Sequence, residues 1–228
     1  MKLFVIEGLD GAGKSTQIRL LKKFFSERGY RCEYLHFPRT DTPFFGELIA
    51  RFLRGEFGAL SEVDPWLVAM LYAGDRKDAS DVITGWLREG VMVLLDRYTY
   101  SNIAYQCAKI GDPEKRDKLR NWILDLEFRH FSIPVPDINI FLDVPFSFTE
   151  KKLLSSRAGK DRDYLNGTRD IHEDSLDFQK KVRGVYLDVA ATDSRLCTVN
   201  CQDEKGNMMP PEMIFDRIIR IINNRKLL

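Results

Sequence analysis

Gly8-Leu9-Asp10-Gly11-Ala12-Gly13-Lys14-Ser15 sets three glycines, an ammonium and a hydroxyl between a short apolar run and a helical pattern. The spacing G-x-x-x-x-G-K-[ST] has a specific physical use. Glycines let successive backbone N–H groups converge on an anion, and the N-terminus of the following helix adds the positive end of its dipole. Lys14 supplies a point charge that can follow the β- and γ-phosphates, and the Ser15 hydroxyl suits Mg²⁺. The stretch Gly8, Asp10, Gly11, Ala12, Gly13, Lys14, Ser15 and Thr16 therefore predicts a cradle for a nucleoside triphosphate.

Three further strand ends carry chemistry. Phe37-Pro38-Arg39 closes one apolar run, Asp96-Arg97-Tyr98 a second and Asp143-Val144-Pro145 a third. Asp96 at the end of an apolar run suits a metal ligand, direct or through water, so Ser15 and Asp96 form the predicted Mg²⁺ set. Arg97 beside it, with Arg39 at the neighbouring end, supplies more cation than one triphosphate requires. A second phosphorylated substrate follows. Asp143 lacks such an arginine and reads as structural.

The elements that must position these residues alternate. Five short apolar runs ("KLFVIEG", "RCEYLHF", "VMVLLD", "DINIFLDV", "RLCTVN") are separated by helical patterns. One helix starts at Ser15 and stops at Gly29, and "GELIARFLRG" is another. A long one opens at Asp64-Pro65 and ends near Gly90, with Asp64 as N-cap. Helices are also expected over Ser101–Lys109, Pro113–Phe131, Phe148–Ser156, "LDFQKKVRGVYLDVAA" and "PEMIFDRIIRIINN". Alternation of this kind implies right-handed crossovers and an α/β fold, a five-stranded parallel sheet with helices on both faces. In such a sheet ligands gather at the carboxyl ends of the strands.

The bulk properties narrow the function classes. The chain has 228 residues and 35 Lys+Arg against 34 Asp+Glu, a net charge of +1. That balance leaves no electrostatic footprint for a nucleic acid or an acidic membrane. The expectation is a single domain over 1–228, with no nucleic-acid or membrane partner and a cytoplasmic location. Four scattered cysteines form no disulfide framework, and Cys197 and Cys201 lack nearby histidines for a zinc site.

Taken together, "GLDGAGKST", "FPR", "LYAGDR" and "DRYTYSNIAYQ" resemble the thymidylate kinase family of P-loop nucleoside monophosphate kinases. The resemblance covers nearly the whole chain and implies transfer of the ATP γ-phosphoryl group to dTMP, with Mg²⁺, in a homodimer. It implies that Asp10 contacts the 3′-hydroxyl, that Arg39 and Arg97 hold the dTMP phosphate, and that Phe37 borders that site. Tyr72 would stack on the base and Arg76 reach a base carbonyl. Ser101 would face the base edge, Tyr105 fill the space of a ribose 2′-hydroxyl, and Gln106 close the pocket. The spacing agrees: Tyr72/Arg76, Ser101/Tyr105 and Asn102/Gln106 are i, i+4 pairs, each on one helix face.

Gly11 stands where some members of that family carry arginine. The resemblance then places the catalytic cation in a mobile lid over about 156–173, among Arg157, Lys160, Arg162 and Arg169, with Arg157 and Arg162 favoured beside Lys14, Asp10 and Arg97. Two other readings compete. A deoxynucleoside kinase would leave Arg39 and Arg97 without a monophosphate, and a nucleotide-dependent regulatory switch would need a γ-phosphate sensor loop where "DRYTYSNIAYQ" stands.

Overall fold

A computed structural model describes residues 2–154, 165, 170–172 and 175–228. Five strands, β1 (Leu3–Glu7), β2 (Cys32–His36), β3 (Met92–Asp96), β4 (Ile138–Asp143) and β5 (Leu196–Asn200), form one sheet. Its order is β2-β3-β1-β4-β5, and every pairing is parallel. Helices α1 (Lys14–Glu27), α2 (Phe45–Leu53), α3 (Pro65–Arg88), α4 (Thr99–Cys107), α5 (Pro113–Leu124), α6 (Phe146–Leu154), α7 (Leu176–Thr192) and α8 (Pro211–Asn224) complete the fold. The α/β sheet expected from the alternation is the one observed.

Side-chain parity on β1 decides the layers. Phe4 and Ile6 join α1 and α8 in one core through Leu21, Phe25, Ile214 and Ile218. Leu3 and Val5 face the other side, where Ala79 and Ile83 of α3 cover them. Glu7 is in phase with Leu3 and Val5, so a carboxylate enters the interior next to α4. Asp64 caps α3 as its sequence predicts, its side chain accepting from the N–H groups of Trp66 and Leu67. At Gly74 of α3 a Cβ would lie 2.2 Å from the Phe45 ring, so only glycine lets α2 pack that closely.

One expected helix is broken. The pattern over Pro113–Phe131 is α-helical only to Leu124 and continues as a π-helical turn over Asp125–His130. The wider turn carries Glu127, whose buried side chain bonds to α3 and α4. That local departure from the 3.6-residue period is one periodicity cannot foresee.

Candidate active site

The carboxyl ends of β1, β2 and β3 open onto a cavity of about 1410 Å³. Apart from Gly8, every predicted site residue within the described part of the chain lines it. Arg157 and Arg162, with Lys160 and Arg169, lie outside the described residues, as does most of the expected lid. Of the range 156–173 only Leu165 and Asp170–His172 are described.

At the loop, Gly11 and Gly13 hold φ of 76° and 84°, the left-handed conformation that turns the chain into α1. Lys14 lies buried against its own loop, donating to the carbonyls of Gly8 at 3.3 Å and Leu9 at 3.1 Å. Burial lowers its pKa and Arg97 adds to that, while Asp96, Asp10 and Glu7 pull the other way. On Asp96, burial alone would raise the carboxyl. Lys14 and His36 outweigh it and hold Asp96 below the ordinary carboxylate range. One oxygen of Asp96 meets His36 Nδ1 at 3.2 Å, and the other, Oδ1, is buried without a partner. Ser15 is exposed to the same cavity. An unpartnered carboxylate oxygen and a hydroxyl on residues that line one cavity are oxygen donors of the kind Mg²⁺ takes. Among the described residues no cluster of three acidic, histidine or cysteine side chains could hold a metal alone, so a phosphate-bound ion fits this donor set.

Arg97 joins the loop to the rest of the site. Its backbone adopts φ 66°, a left-handed conformation that is uncommon for a non-glycine residue. Its Nη2 reaches Asp10 Oδ1 at 2.9 Å and Tyr105 Oη at 3.2 Å, and its Nη1 reaches Ser101 Oγ at 3.2 Å. Tyr105 in turn donates to Asp10 Oδ2 at 2.9 Å. The Ser101 hydroxyl, expected at a base edge, is taken up by Arg97, Glu7 and Tyr186. Burial raises the Glu7 carboxyl above the ordinary range despite the Ser101 and Arg97 contacts.

Arg39 stands at the mouth of the pocket but is turned onto α3. It bonds Asp75 Oδ1 at 2.8 Å and Asp78 Oδ2 at 2.6 Å through Nε and Nη2. A phosphate bound here would have to meet the remaining edge or displace Asp78. Phe37 is buried beneath, its ring 5.7 Å from that of Tyr98. Arg76 is also buried, held by Glu127 through Nε and Nη2, both at 2.6 Å. Gln106 is buried with its Oε1 unpartnered. Asp143, read from the sequence as structural, is held by Arg183 at 2.6 and 2.9 Å.

Sequence reasoning missed Glu7, Asp75, Glu127 and His172, and it placed Asn102 on the Gln106 face without giving it a role. His172 is packed among the rings of Phe52, Tyr105 and Phe178 at 5.5, 4.9 and 5.7 Å. Burial, aided by Lys109, drives its pKa well below the ordinary histidine value. Ile171 beside it donates to the Leu53 carbonyl of α2 at 3.1 Å. Both residues fall in the range expected to be a lid, and only the fold shows Ile171 packed on α2 and His172 lining the cavity.

Comparison with known proteins agrees with this geometry. The thymidylate kinase family model matches residues 6–209. The chain belongs to the thymidylate kinase family. It is 33% identical over 223 residues to a Thermococcus kodakarensis protein named "Probable thymidylate kinase", covering 96% of this chain and 95% of that one. It is also 33% identical to the Mycobacterium tuberculosis thymidylate kinase over 189 residues, 83% of this chain and 86% of the relative. The solved thymidylate kinase of Candida albicans superposes with a TM-score of 0.70 at 26% identity, covering 99% of this chain and 92% of that one. The family places the chain among phosphotransferases that act on dTMP.

Proposed function

We propose that the γ-phosphoryl group of ATP passes to dTMP inside the β1–β2–β3 cavity, with Lys14, Asp10 and Arg97 as its principal described residues. The observation that carries this assignment is the 2.9 Å contact of Arg97 with Asp10, which ties an acceptor-side cation to the phosphate loop. A dTMP phosphate oxygen is already a competent nucleophile, so no strong base is required. Lys14 leaves its two carbonyls for the β- and γ-phosphates. Arg97, with Arg39 behind it, holds the acceptor phosphate, and Asp10 and Tyr105 take the sugar. Tyr72 stacks on the base, Arg76 and Gln106 bound it, and Ser101 holds Arg97. Catalysis is then alignment plus charge neutralisation. Mg²⁺, held by the phosphates with Ser15 and Asp96, would supply charge neutralisation when bound. Because Gly11 brings no side-chain cation to the loop, Arg157 and Arg162 remain the proposed source of charge on the transferring group.

ADP release with ATP against a panel of nucleoside monophosphates and nucleosides, with and without Mg²⁺, tests this. The expected result is fastest turnover with dTMP, none with thymidine and none without metal. Faster reaction with thymidine than with dTMP would remove the monophosphate role from Arg39 and Arg97. The family resemblance supports a homodimer, as do Phe44, Leu67 and Met70, which stay 78%, 66% and 41% exposed on or beside α2 and α3. Sedimentation velocity distinguishes dimer from monomer. A cytoplasmic location is the matching proposal, consistent with four free cysteines, and fractionation of cells tests it.

A further inference from the structure

We propose that Glu127, outside every motif of this chain, is a positioning residue that sets which pyrimidine base the acceptor pocket accepts. The proposal rests on the reading of this cavity as a dTMP site. Glu127 is fully buried on the π-helical turn. Its carboxylate accepts from Arg76 Nε and Nη2 at 2.6 Å each, from Thr99 Oγ1 at 2.8 Å and from Asn102 Nδ2 at 3.0 Å. Four donors from α3 and α4, both of which wall the cavity, converge on one anion.

The consequence is a fixed order of donor and acceptor. With Nε and Nη2 of Arg76 engaged, Nη1 is the guanidinium edge left for a ligand. Asn102 Nδ2 also donates to the Ala69 carbonyl at 3.0 Å, so both amide hydrogens have acceptors. The amide cannot turn over without facing its oxygen to two other oxygens. Asn102 Oδ1 is thereby the remaining polar atom, buried and unpartnered, and Asn102 and Arg76 both line the cavity. A donor beside an acceptor matches the 4-oxo group and N3–H of a thymine or uracil ring. A cytosine ring presents the reverse order, an amino donor and a bare N3. Glu127 touches no substrate in this scheme. It acts through Arg76 and Asn102.

The test is the ratio of kcat/KM for dTMP to that for dCMP in wild type and Glu127→Gln. Each carboxylate oxygen accepts two of the four bonds, so a carboxamide leaves one guanidinium donor, together with the Thr99 hydroxyl or the Asn102 amide, facing an NH2 group, and the order is no longer enforced. The expected result is a fall of about tenfold or more in that ratio, since polar readout of a base contributes far more than one methylene. The KM for dTMP should rise while the KM for ATP and kcat stay within about threefold. An unchanged ratio overturns the proposal, and so does a uniform loss in which the ATP and dTMP parameters fall together. If Glu127→Gln yields no soluble protein, Thr99→Val releases one donor while keeping the charge, and the ratio must still fall by about threefold. No change there is equally fatal. Wild type that fails to use dTMP at all would instead overturn the reading of the pocket.

Discussion

Lys14 finds its partners five and six residues away along the chain, whereas Arg76 finds Glu127 across 51. The first belongs to a backbone device. Its ligands are N–H groups and carbonyls of a turn that any chain with those glycines can form. The second belongs to a network assembled from α3, α4 and a π-helical turn, in which Arg76 is held by a buried carboxylate. Backbone cradles need only local sequence. Side-chain pockets need the whole fold, because burying a charge is costly until its partner arrives from elsewhere. The two regions meet at Arg97, bonded to Asp10 on one side and to Ser101 and Tyr105 on the other.

The largest expected effect belongs to the loop. Lys14→Ala should lower kcat by about 10³-fold or more, as loss of a transition-state cation does in phosphoryl transfer. dTMP binding and the unfolding midpoint should hardly change, because Lys14 bonds only to its own loop among the described contacts. Single-turnover kinetics and dTMP calorimetry check both halves. A variant that loses dTMP affinity equally would mean the two regions are not separable. Arg97→Ala should come next, at about 10²–10³-fold in kcat/KM. It should weaken both substrates, since it removes the link between regions. If only one substrate is affected, Arg97 belongs to that region alone.

Tyr105 sharpens the acceptor side. Tyr105→Phe keeps the ring and loses the bond to Asp10, so discrimination against the ribonucleotide should persist while kcat falls about tenfold. Tyr105→Ala should lose that discrimination. Equal selectivity in wild type and Tyr105→Ala would deny the ring its role at the 2′-position.

The smallest effect lies outside both regions. Burial lowers the Lys109 ammonium to about 7, with Asp64 opposing only in part, and its Nζ sits without a hydrogen-bond partner 4.8 Å from the Phe52 ring centroid. Between about 7 and the ordinary 10.5 the unfolded chain holds a proton that the folded chain has released. Stability from this group therefore rises with pH across that window, and below it the buried charge opposes folding in full. Lys109→Met should raise the urea midpoint near pH 7, and its advantage should shrink toward pH 10.5. A gain independent of pH would show that packing, and not the charge, is responsible.

Much of this site was legible before the fold was known. The glycine spacing specified a phosphate loop, and the alternation of apolar runs with helical patterns specified a parallel sheet. Strand-end positions then brought Asp96, Arg97 and Arg39 to one edge. Helical spacing put Tyr72 with Arg76 and Asn102 with Gln106. These are short-range consequences of backbone geometry, and a chain cannot avoid them once the residues are in place.

Other features depended on the tertiary structure. Glu7 and Glu127 look in sequence like a strand-end carboxylate and one more acidic residue on a polar helix. Their burial follows from β-strand parity and from a π-helical turn, and their worth from partners 94 and 51 residues away. The same holds for Arg39, whose two α3 carboxylates lie 36 and 39 residues on. His172 is drawn from a polar stretch into a box of aromatic rings. A sequence states which groups can be charged. Only folding brings the opposing charge and removes the water, and those two events decide where a cation points and whether it can read a substrate.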